Sequence, residues 1–273
     1  LIQTLRDAGP SKTSMGRTDL DLPPSCGPRI LVVDQTAGDA SIAGGLADRD
    51  SFARMLEAAR FATGSGQLLV RRHPATVAGL KRGCLASEAL TGAIPVDDVA
   101  LDVLLPQVDA VFTVSSGLGF EALIRGLPVH CFGLPFHAGW GLTTDNLSAP
   151  RRGVGRSLEV LVAAALIVQA RYVDPVTESP SPPEAAVSRL LQRRDRARWL
   201  AGYSACVGFS PAKRGAVRRL MNSPLGETAF FTSTAAAVTA ARQRGGRLVV
   251  WAGKESPDVA PAAEAATLPL WRM

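Results

Sequence analysis

The sequence predicts an α/β protein in which a Rossmann-like parallel sheet domain is followed by the start of a second α/β domain. Residues 30–33 form a continuous β-branched and apolar run, which is typical of a strand buried on both faces of a parallel sheet. A helical stripe and a second apolar strand follow this run. The same alternation returns after Cys206, which indicates a second unit of the same class.

Composition limits the protein to one large core or two smaller ones. The chain has 273 residues, of which 47% are hydrophobic and 20% are charged, so it is a globular protein by composition. The longest uncharged apolar run, residues 160–168, is far shorter than the roughly 20 residues that a membrane span needs. The pattern therefore predicts no membrane-spanning segment.

The net charge of +6 comes almost wholly from arginine. Such a charge favours anionic partners such as nucleotides, nucleic acid or acidic lipid surfaces, and a solvated arginine-rich surface explains it equally well. The basic run at residues 193–198 lacks interleaved aromatic residues, so we expect no nucleic-acid contact there. The four cysteines, Cys26, Cys84, Cys131 and Cys206, have no metal-binding spacing and indicate a reducing compartment rather than a disulfide scaffold.

The chain divides into three predicted segments. Residues 1–28 contain a helix end and a proline-rich linker, residues 29–205 form the Rossmann-like domain, and residues 206–273 begin a second domain. In the first domain we predict helices at 50–61, 96–105, 120–125, 157–170 and 184–200, strands at 30–33, 67–70, 110–114 and 129–132, and a linker at 179–183. In the second we predict helices at 211–221 and up to residue 244, and strands at 229–231 and 247–251.

Chemistry-bearing residues follow the first two strands. Asp34 and Asp39 come after the first strand, and Arg71 and His73 stand where the second one ends. Ligands of open α/β sheets collect at the carboxyl ends of the strands. For Asp34, a turn-capping role is as good an interpretation as a functional one, whereas Asp39 is the better functional candidate. The imidazole of His73 beside arginine suits contact with a phosphate.

The third strand end carries Ser115, Ser116 and Gly117 immediately before a helix, with Glu121 one turn inside it. Free N–H groups and the helix dipole favour an anion at such a turn. Residues 117–122 match the dinucleotide fingerprint G-x-G-x-x-A, but the next strand does not end in an acidic residue, so a monophosphate fits at least as well. Neither a P-loop nor a G-x-S-x-G elbow occurs, and the serines are interpreted as binding groups.

These motifs together resemble the capsular polysaccharide biosynthesis proteins of Gram-negative bacteria that are retaining β-Kdo transferases. The motifs are DQTAGDASI, a cation two residues before His-Pro, SSGLGFEAL, GLPVHCFGLPFHAGWGLT, an Arg-Arg pair and RYVDP. The resemblance covers residues 29–175. Members of the family carry two glycosyltransferase modules in tandem, and GFSPAKR with VVWAGK resembles the opening of the second one.

The resemblance implies a GT-B-like fold, of which residues 29–205 would be the donor half. It implies transfer of Kdo from CMP-Kdo to a lipid-linked, phosphatidylglycerol-type acceptor, which builds the β-Kdo linker for capsule export. It further implies partners in the capsule biosynthesis and export machinery, no metal or other cofactor, and a cytoplasmic location that can be peripheral at the inner membrane. Because the acceptor half would lie upstream of Leu1, this chain alone is expected to catalyse little transfer.

The resemblance also implies residue roles. Asp39 would be the catalytic carboxylate and Asp34 a structural one. The residues expected to hold the nucleotide are Arg71, His73, Ser115, Ser116, Gly117 and Glu121, and those expected to line the substrate pocket are Asp34, Gln35, Gly38, His137, Trp140, Arg151 and Arg152. The sequence departs from the family pattern at Arg71, Gly117 and His137. The alternative function is a non-catalytic nucleotide-binding or export-assembly subunit, which would bind CMP without turning over a donor.

Overall fold

A computed structural model describes residues 1–11 and 16–273 of the chain. The chain forms two compact units, Leu1–Ser188 and Arg189–Met273. The division falls within the helix Pro183–Trp199, and the boundary predicted after residue 205 falls inside the first strand of the second unit, Gly202–Val207.

The first unit is built on a six-stranded parallel sheet, which confirms the predicted fold class. Its strands are β1 (Arg29–Val33), β2 (Gln67–Arg71), β3 (Ile94–Pro95), β4 (Ala110–Thr113), β5 (Val129–Cys131) and β6 (Thr144–Asp145), in the spatial order β3-β2-β1-β4-β5-β6. The predicted strands at 30–33, 67–70, 110–114 and 129–132 are confirmed within one residue. The sequence analysis missed β3 and β6, because a two-residue strand carries no hydrophobic period.

Strand β1 is central, and the chain moves outward from it first on one side and then on the other. Leu31 pairs with Leu69 of β2 and with Val111 of β4. The order of the strands reverses between β1 and β4, which is the point where doubly wound sheets bind ligands. The topology therefore places the ends of β1, β2 and β4 side by side.

Seven helices of the described first unit surround this sheet. They are α1 (Ile2–Ala8), α2 (Ala40–Gly44), α3 (Arg49–Thr63), α4 (Pro74–Val77), α5 (Leu101–Leu104), α6 (Leu118–Ile124) and α7 (Leu158–Ala163). The predicted helix at 50–61 is α3, which buries Phe52, Met55 and Ala59 against the sheet. A capping box between Asp48 and Ser51 fixes its start.

The helix predicted at residues 96–105 is wrong over its first half. The backbone N–H of Val96 instead donates to the carbonyl of Val70, which continues the pairing of β3 with β2. Asp97 accepts a hydrogen bond from the backbone N–H of Arg72 and does not cap a helix. Burial of Val99 and Ala100 in extended conformation outweighs the local helix signal, so only α5 and a 3-10 turn at Leu105–Gln107 are helical.

After α7 the chain continues as a π-helical turn, Ala164–Val168. It then forms a short antiparallel hairpin of β7 (Tyr172–Val173) and β8 (Pro180–Ser181). Strand β8 lies within residues 179–183, which were predicted as a linker. In the residues that the structure describes, no helix is both long and apolar enough to cross a membrane.

The second unit contains a separate four-stranded parallel sheet, which confirms a second α/β pattern. The elements of this region are α8 (Pro183–Trp199), β9 (Gly202–Val207), α9 (Pro211–Leu220), β10 (Gly226–Phe231), α10 (Thr234–Gln243), β11 (Arg247–Val250), α11 (Val259–Ala265) and β12 (Leu270–Arg272). The spatial order is β10-β9-β11-β12. Ala205, Leu248 and Val250 form the centre of its core with Ala237 of α10.

Candidate functional site

The carboxyl ends of β1, β2 and β4 converge on a small pocket of about 60 Å³. Ligand pockets generally measure roughly 300–1,000 Å³, so this one can enclose a single group of a ligand rather than a whole nucleotide. Its polar lining consists of Asp34, Arg71, Arg72, His73, Ser116 and Glu121. The structure thus brings together five of the residues that the sequence analysis had picked from three separate stretches.

His73 is held in a defined orientation at the end of β2. Its Nδ1 accepts a hydrogen bond of 3.1 Å from the backbone N–H of Ala75, so His73 caps α4. Pro74 occupies the first turn of that helix and stops the strand. With Nδ1 as acceptor, the neutral ring carries its proton on Nε2, which leaves an N–H donor for a ligand.

Arg71 is buried beneath the pocket. Its Nη1 donates to the backbone carbonyls of Val96 and Val99 at 3.1 and 2.6 Å, which ties β2 to the segment after β3. Burial lowers the pKa of Arg71, while the charges of Asp97, Glu121 and Asp98 raise it. The guanidinium therefore combines a structural role with a positive charge on the pocket lining.

Ser115 and Gln35 form a polar connection across the switch point. Gln35 Oε1 accepts from the backbone N–H of Ser115 at 2.9 Å, and Gln35 Nε2 donates to Ser115 Oγ at 3.0 Å. Ser41 Oγ lies 3.1 Å from Ser115 Oγ and completes the cluster. Ser115 is buried and absent from the pocket lining, so its hydroxyl fastens the turn after β4 to the turn after β1.

Ser116 and Gly117 stand at the start of α6. Ser116 Oγ accepts from the backbone N–H of Leu118 at 3.3 Å and lines the small pocket. Gly117 is exposed, and a Cβ added to it would meet nothing within 4 Å among the described residues. The space beside this turn is therefore open to a ligand.

Glu121 lines the pocket from the first turn of α6. Its Oε1 accepts from Ser11 Oγ at 3.0 Å, and its Oε2 lies 3.8 Å from Arg125 Nη1. The carboxylate is thus held by Ser11 and Arg125.

The two aspartates after β1 have opposite electrostatic environments. Asp34 is buried, its Oδ1 accepts from the backbone N–H groups of Cys84 and Leu85 at 3.1 Å each, and burial raises its pKa despite these bonds. Asp39 is half-buried, and the N–H of Ser41, which donates at 2.9 Å, lowers its pKa. An ionised, accessible carboxylate suits a nucleophile, whereas Asp34 fits a structural role.

Asp39 also lines a second and larger cavity of about 500 Å³ together with Gly38. Gly38 has a φ of 81°, a left-handed conformation that glycine adopts without strain and that shapes this turn. The charges of His73 and Lys81 further lower the pKa of Asp39. Asp39 therefore lines the larger cavity, while a charge from the small pocket, that of His73, acts on its pKa.

The loop after β5, residues 133–141 (the aromatic loop), packs against α6, where the rings of Phe136 and Phe120 are 4.9 Å apart between centroids. His137 is fully buried, and its ring centroid lies 5.2 Å from that of Phe136 and 6.3 Å from that of Phe120. Neither ring nitrogen has a hydrogen-bond partner among the described residues. Trp140 Nε1 donates to the carbonyl of Phe136 at 2.8 Å, and Asp145 Oδ2 accepts from the backbone of Gly139 at 2.8 Å.

The predicted substrate-pocket residues fall into separate groups. Gln35 and Gly38 belong to the turn that carries Asp39, whereas His137, Trp140 and Arg152 hold the aromatic loop together. Arg152 Nη1 donates to the carbonyls of Pro135 and Ala138 at 2.5 and 2.9 Å. Arg151 is exposed and lines a third cavity of about 450 Å³ with Leu46 and Leu134.

Sequence reasoning missed two arginines of the larger cavity. Arg49 at the start of α3 and Arg82 in the loop after α4 both line it beside Asp39. Neither belongs to a motif or to a strand end, so the sequence offered no signal for them. In the ranges 1–11 and 16–273, no three His, Cys, Asp or Glu side chains are grouped as a metal ion would require.

The contact between α6 and His137 gives a first prediction. A Cβ on Gly119 would lie 2.6 Å from His137 Nε2 and 3.1 Å from Thr113 Cγ2, so Gly119→Ala should destabilise the fold by about 1–3 kcal/mol. Urea unfolding measures this loss. Gly117→Ala, two residues away with open space around it, is the matched control and should change stability little. Equal stability of the two variants would contradict the packing described.

The strand order and the polar crevice at the switch point define an α/β protein of the Rossmann-like, doubly wound class. A profile of the family described as "Capsule polysaccharide biosynthesis protein" matches residues 10–173, which is more than half of the chain. The chain therefore belongs to the capsule polysaccharide biosynthesis protein family.

Curated relatives agree with this assignment. The chain is 32% identical over 259 residues to capsule polysaccharide modification protein LipA of Neisseria meningitidis serogroup B, a match that covers 92% of this chain and 36% of LipA. It is 37% identical over 190 residues to lipopolysaccharide-processing protein LpsZ of Rhizobium meliloti, covering 68% of this chain and 43% of LpsZ. The chain thus spans less than half the length of these relatives.

Two solved structures are similar in both sequence and fold. The β-Kdo 2,4-transferase of Thermosulfurimonas dismutans KpsC superposes with a TM-score of 0.65 at 36% identity, covering 70% of this chain and 60% of that one. The β-Kdo 2,7-transferase of the same KpsC superposes with a TM-score of 0.56 at 29% identity, covering 70% and 59%. The matched part of the chain accordingly shares the GT-B-like α/β fold of these two structures.

Proposed function

We propose that this chain carries the donor site of a retaining glycosyltransferase that transfers Kdo from CMP-Kdo in capsule polysaccharide biosynthesis. The observation that carries the proposal is the convergence of His73, Ser116 and Glu121 on one pocket with the ionised Asp39 beside it. Family membership and the similarity to two Kdo transferases support it.

In this proposal the small pocket holds the phosphate of CMP. His73 donates from Nε2, Ser116 donates from its hydroxyl, and the buried guanidinium of Arg71 adds positive charge from below. Charge-assisted hydrogen bonds of this kind stabilise the negative charge that develops on a phosphate leaving group. Glu121, on the rim of the same pocket, is assigned to the ribose hydroxyls. The proposal assigns leaving-group stabilisation to these protein groups rather than to a metal ion.

Asp39 is proposed as the nucleophile. Its carboxylate oxygen attacks the anomeric carbon of Kdo, the bond from that carbon to the phosphate oxygen breaks, and CMP leaves with the electron pair. A hydroxyl of the acceptor then attacks the same carbon and gives up its proton to solvent, while the bond from that carbon to the Asp39 oxygen breaks and the carboxylate is released. Two inversions give net retention. The lowered pKa of Asp39 keeps the carboxylate ionised for the first step.

The proposed acceptor is a phosphatidylglycerol-type glycolipid, so that the product would be the β-Kdo linker on which capsule is exported. In a two-domain transferase of this fold, the acceptor is held by the domain opposite the donor site. Residues 206–273 are proposed to belong to the next module. These assignments concern a protein longer than this chain, because relatives such as LipA are more than twice as long as the region that matches.

The phosphate contact of His73 is tested by CMP binding. Loss of a charge-assisted hydrogen bond weakens binding by about tenfold, so His73→Ala should raise the Kd for CMP by about that factor in calorimetry. His73→Asn is the control, because its side chain can still cap α4 by accepting from Ala75. Both variants should lose affinity. Loss in the alanine variant alone would mean that His73 acts only through the cap.

A second arm separates catalysis from mere binding. The wild-type chain should be stabilised against heat by CMP and should consume CMP-Kdo in the half-reaction that needs no acceptor. Stabilisation by CMP without any consumption of the donor would favour a non-catalytic nucleotide-binding subunit. Absence of CMP binding would contradict both functions.

A further inference from the structure

The cavity of about 500 Å³ beside Asp39 has the size of a site for a small ligand. Its walls are formed mainly by small or apolar side chains of the β1–α2 turn, α2, α3 and the loop at residues 82–86. The lining residues that shape it are Ala37, Ala40, Ile42, Ala43, Ala47 and Phe52. A space of this size with the proposed nucleophile on its wall can take the sugar that the nucleophile attacks.

The loop that carries Arg82 is firmly attached to the sheet. The backbone N–H of Ala37 donates to the carbonyl of Arg82 at 2.9 Å, and the N–H of Cys84 donates to the carbonyl of Gln35 at 2.9 Å. Asp34 Oδ1 accepts from the two N–H groups that follow Gly83. The position of Arg82 relative to Asp39 is therefore set by backbone contacts on both sides.

Arg49 and Arg82 bring positive charge to this cavity. Both arginines line the cavity and are exposed. Within residues 1–11 and 16–273 neither forms an ion pair with a carboxylate. Some other arginines of the unit are paired with carboxylates, as Arg72 is with Asp97 and Arg54 with Asp48. Guanidinium groups recognise carboxylates by paired N–H donors, so these two favour an anionic group on the ligand.

The positive charge of Arg49 and Arg82 lies in the larger cavity, apart from the small pocket that is proposed to hold the phosphate. Asp34 and Gly83 lie between the two spaces: Asp34 lines the small pocket, Gly83 lines the larger cavity, and a Cβ on Gly83 would fall 2.2 Å from Asp34 Oδ2. One ligand that reaches both spaces past Asp39 would thus carry a phosphate at one end and a second anionic group at the other.

We propose that Arg82, assisted by Arg49, is a specificity-determining residue that binds the carboxylate of the donor sugar. This inference rests on the proposed function and adds to it the group that selects an acidic sugar over a neutral one. The carboxylate ion pair also orients the anomeric carbon toward Asp39. Arg82 itself takes no part in bond breaking.

The test compares the affinity for CMP-Kdo with that for CMP in the whole chain. Wild type should bind CMP-Kdo more tightly than CMP. Arg82→Ala should weaken CMP-Kdo by about tenfold and leave CMP unchanged, and Arg82→Lys should keep part of the difference. Adding Arg49→Ala to Arg82→Ala should weaken CMP-Kdo further. Arg242→Ala, which removes an exposed charge from α10 in the other unit, should change neither affinity.

Each failure has a distinct meaning. If the wild-type chain binds neither ligand, the proposed function is wrong. If it binds both but Arg82→Ala weakens CMP and CMP-Kdo equally, or weakens neither, the proposed function stands and the role of Arg82 is wrong. Equal affinities for CMP-Kdo and for its carboxyl methyl ester would also overturn the inference.

Discussion

Asp39→Asn is expected to abolish formation of a covalent Kdo adduct on the protein and to lower consumption of CMP-Kdo by on the order of a thousandfold or more. In the proposed mechanism the ionised carboxylate attacks the anomeric carbon, and an amide cannot supply that anionic oxygen. The fold should survive, because asparagine caps a helix about as well as aspartate and can still accept from Ser41. Affinity for CMP should stay within about twofold, since Asp39 does not line the small pocket that is proposed to hold the phosphate.

The adduct is measured by intact-mass spectrometry after incubation with the donor, which needs no acceptor. Asp34→Asn is the matched control, since its amide oxygen can still accept the two backbone N–H groups after Gly83. The control variant should keep the adduct. An adduct that forms in Asp39→Asn and not in Asp34→Asn would assign the nucleophile to Asp34. Absence of any adduct in the wild type would contradict double displacement.

Acidification is expected to lower the free energy of unfolding by about 3 kcal/mol through His137 alone. Burial, assisted by the charge of Arg152, lowers the pKa of His137 from 6.5 to about 4 in the folded protein. Between these two pH values the unfolded chain binds a proton that the folded protein does not. The stability is therefore complete above pH 6.5 and is lost as the pH falls toward 4.

Urea unfolding between about pH 7 and pH 4 measures this effect. His137→Phe is the comparison, because it keeps an aromatic ring beside Phe120 and Phe136 without a titrating group. His137→Leu replaces it if the larger ring is not accommodated. The variant should lose less stability on acidification than the wild type. The pKa of His130 is also lowered by burial, but this residue is present in both proteins and cancels. Identical pH dependence would contradict the burial of a neutral His137.

Local patterns were sufficient for the central elements of the fold. Strands β1, β2 and β4 carry apolar runs and the helix α3 an apolar stripe, and these elements and the short strand β5 were predicted close to their observed bounds. The strands β3 and β6 and the helices α2 and α4 are short and carry neither a continuous apolar run nor an apolar stripe, so no local pattern indicates them. Non-local burial decided the segment before α5, where Val99 is fully buried and pairs with Arg17, and local helix propensity does not prevail.

The candidate site shows the same division. The rule that ligands gather at strand ends singled out Asp39, His73 and Ser116, and the structure places His73 and Ser116 in the small pocket and Asp39 on the wall of the larger cavity. The rule could not separate Ser116, which lines the pocket, from Ser115, whose hydroxyl is taken up by Gln35. Two adjacent serines have the same chemistry, and only the direction of each side chain after β4 distinguishes them.

The sequence by itself determined the class of fold, the family and the three strand ends that form the crevice, because these depend on apolar periodicity and on motifs contiguous in the chain. Only the tertiary structure decided which groups are free to act. Burial and backbone hydrogen bonds raise the pKa of one aspartate and lower that of the other, and chain packing brings Arg49 and Arg82 from distant segments to one cavity. Electrostatic environment and proximity are properties of the packed chain, and no local pattern encodes them.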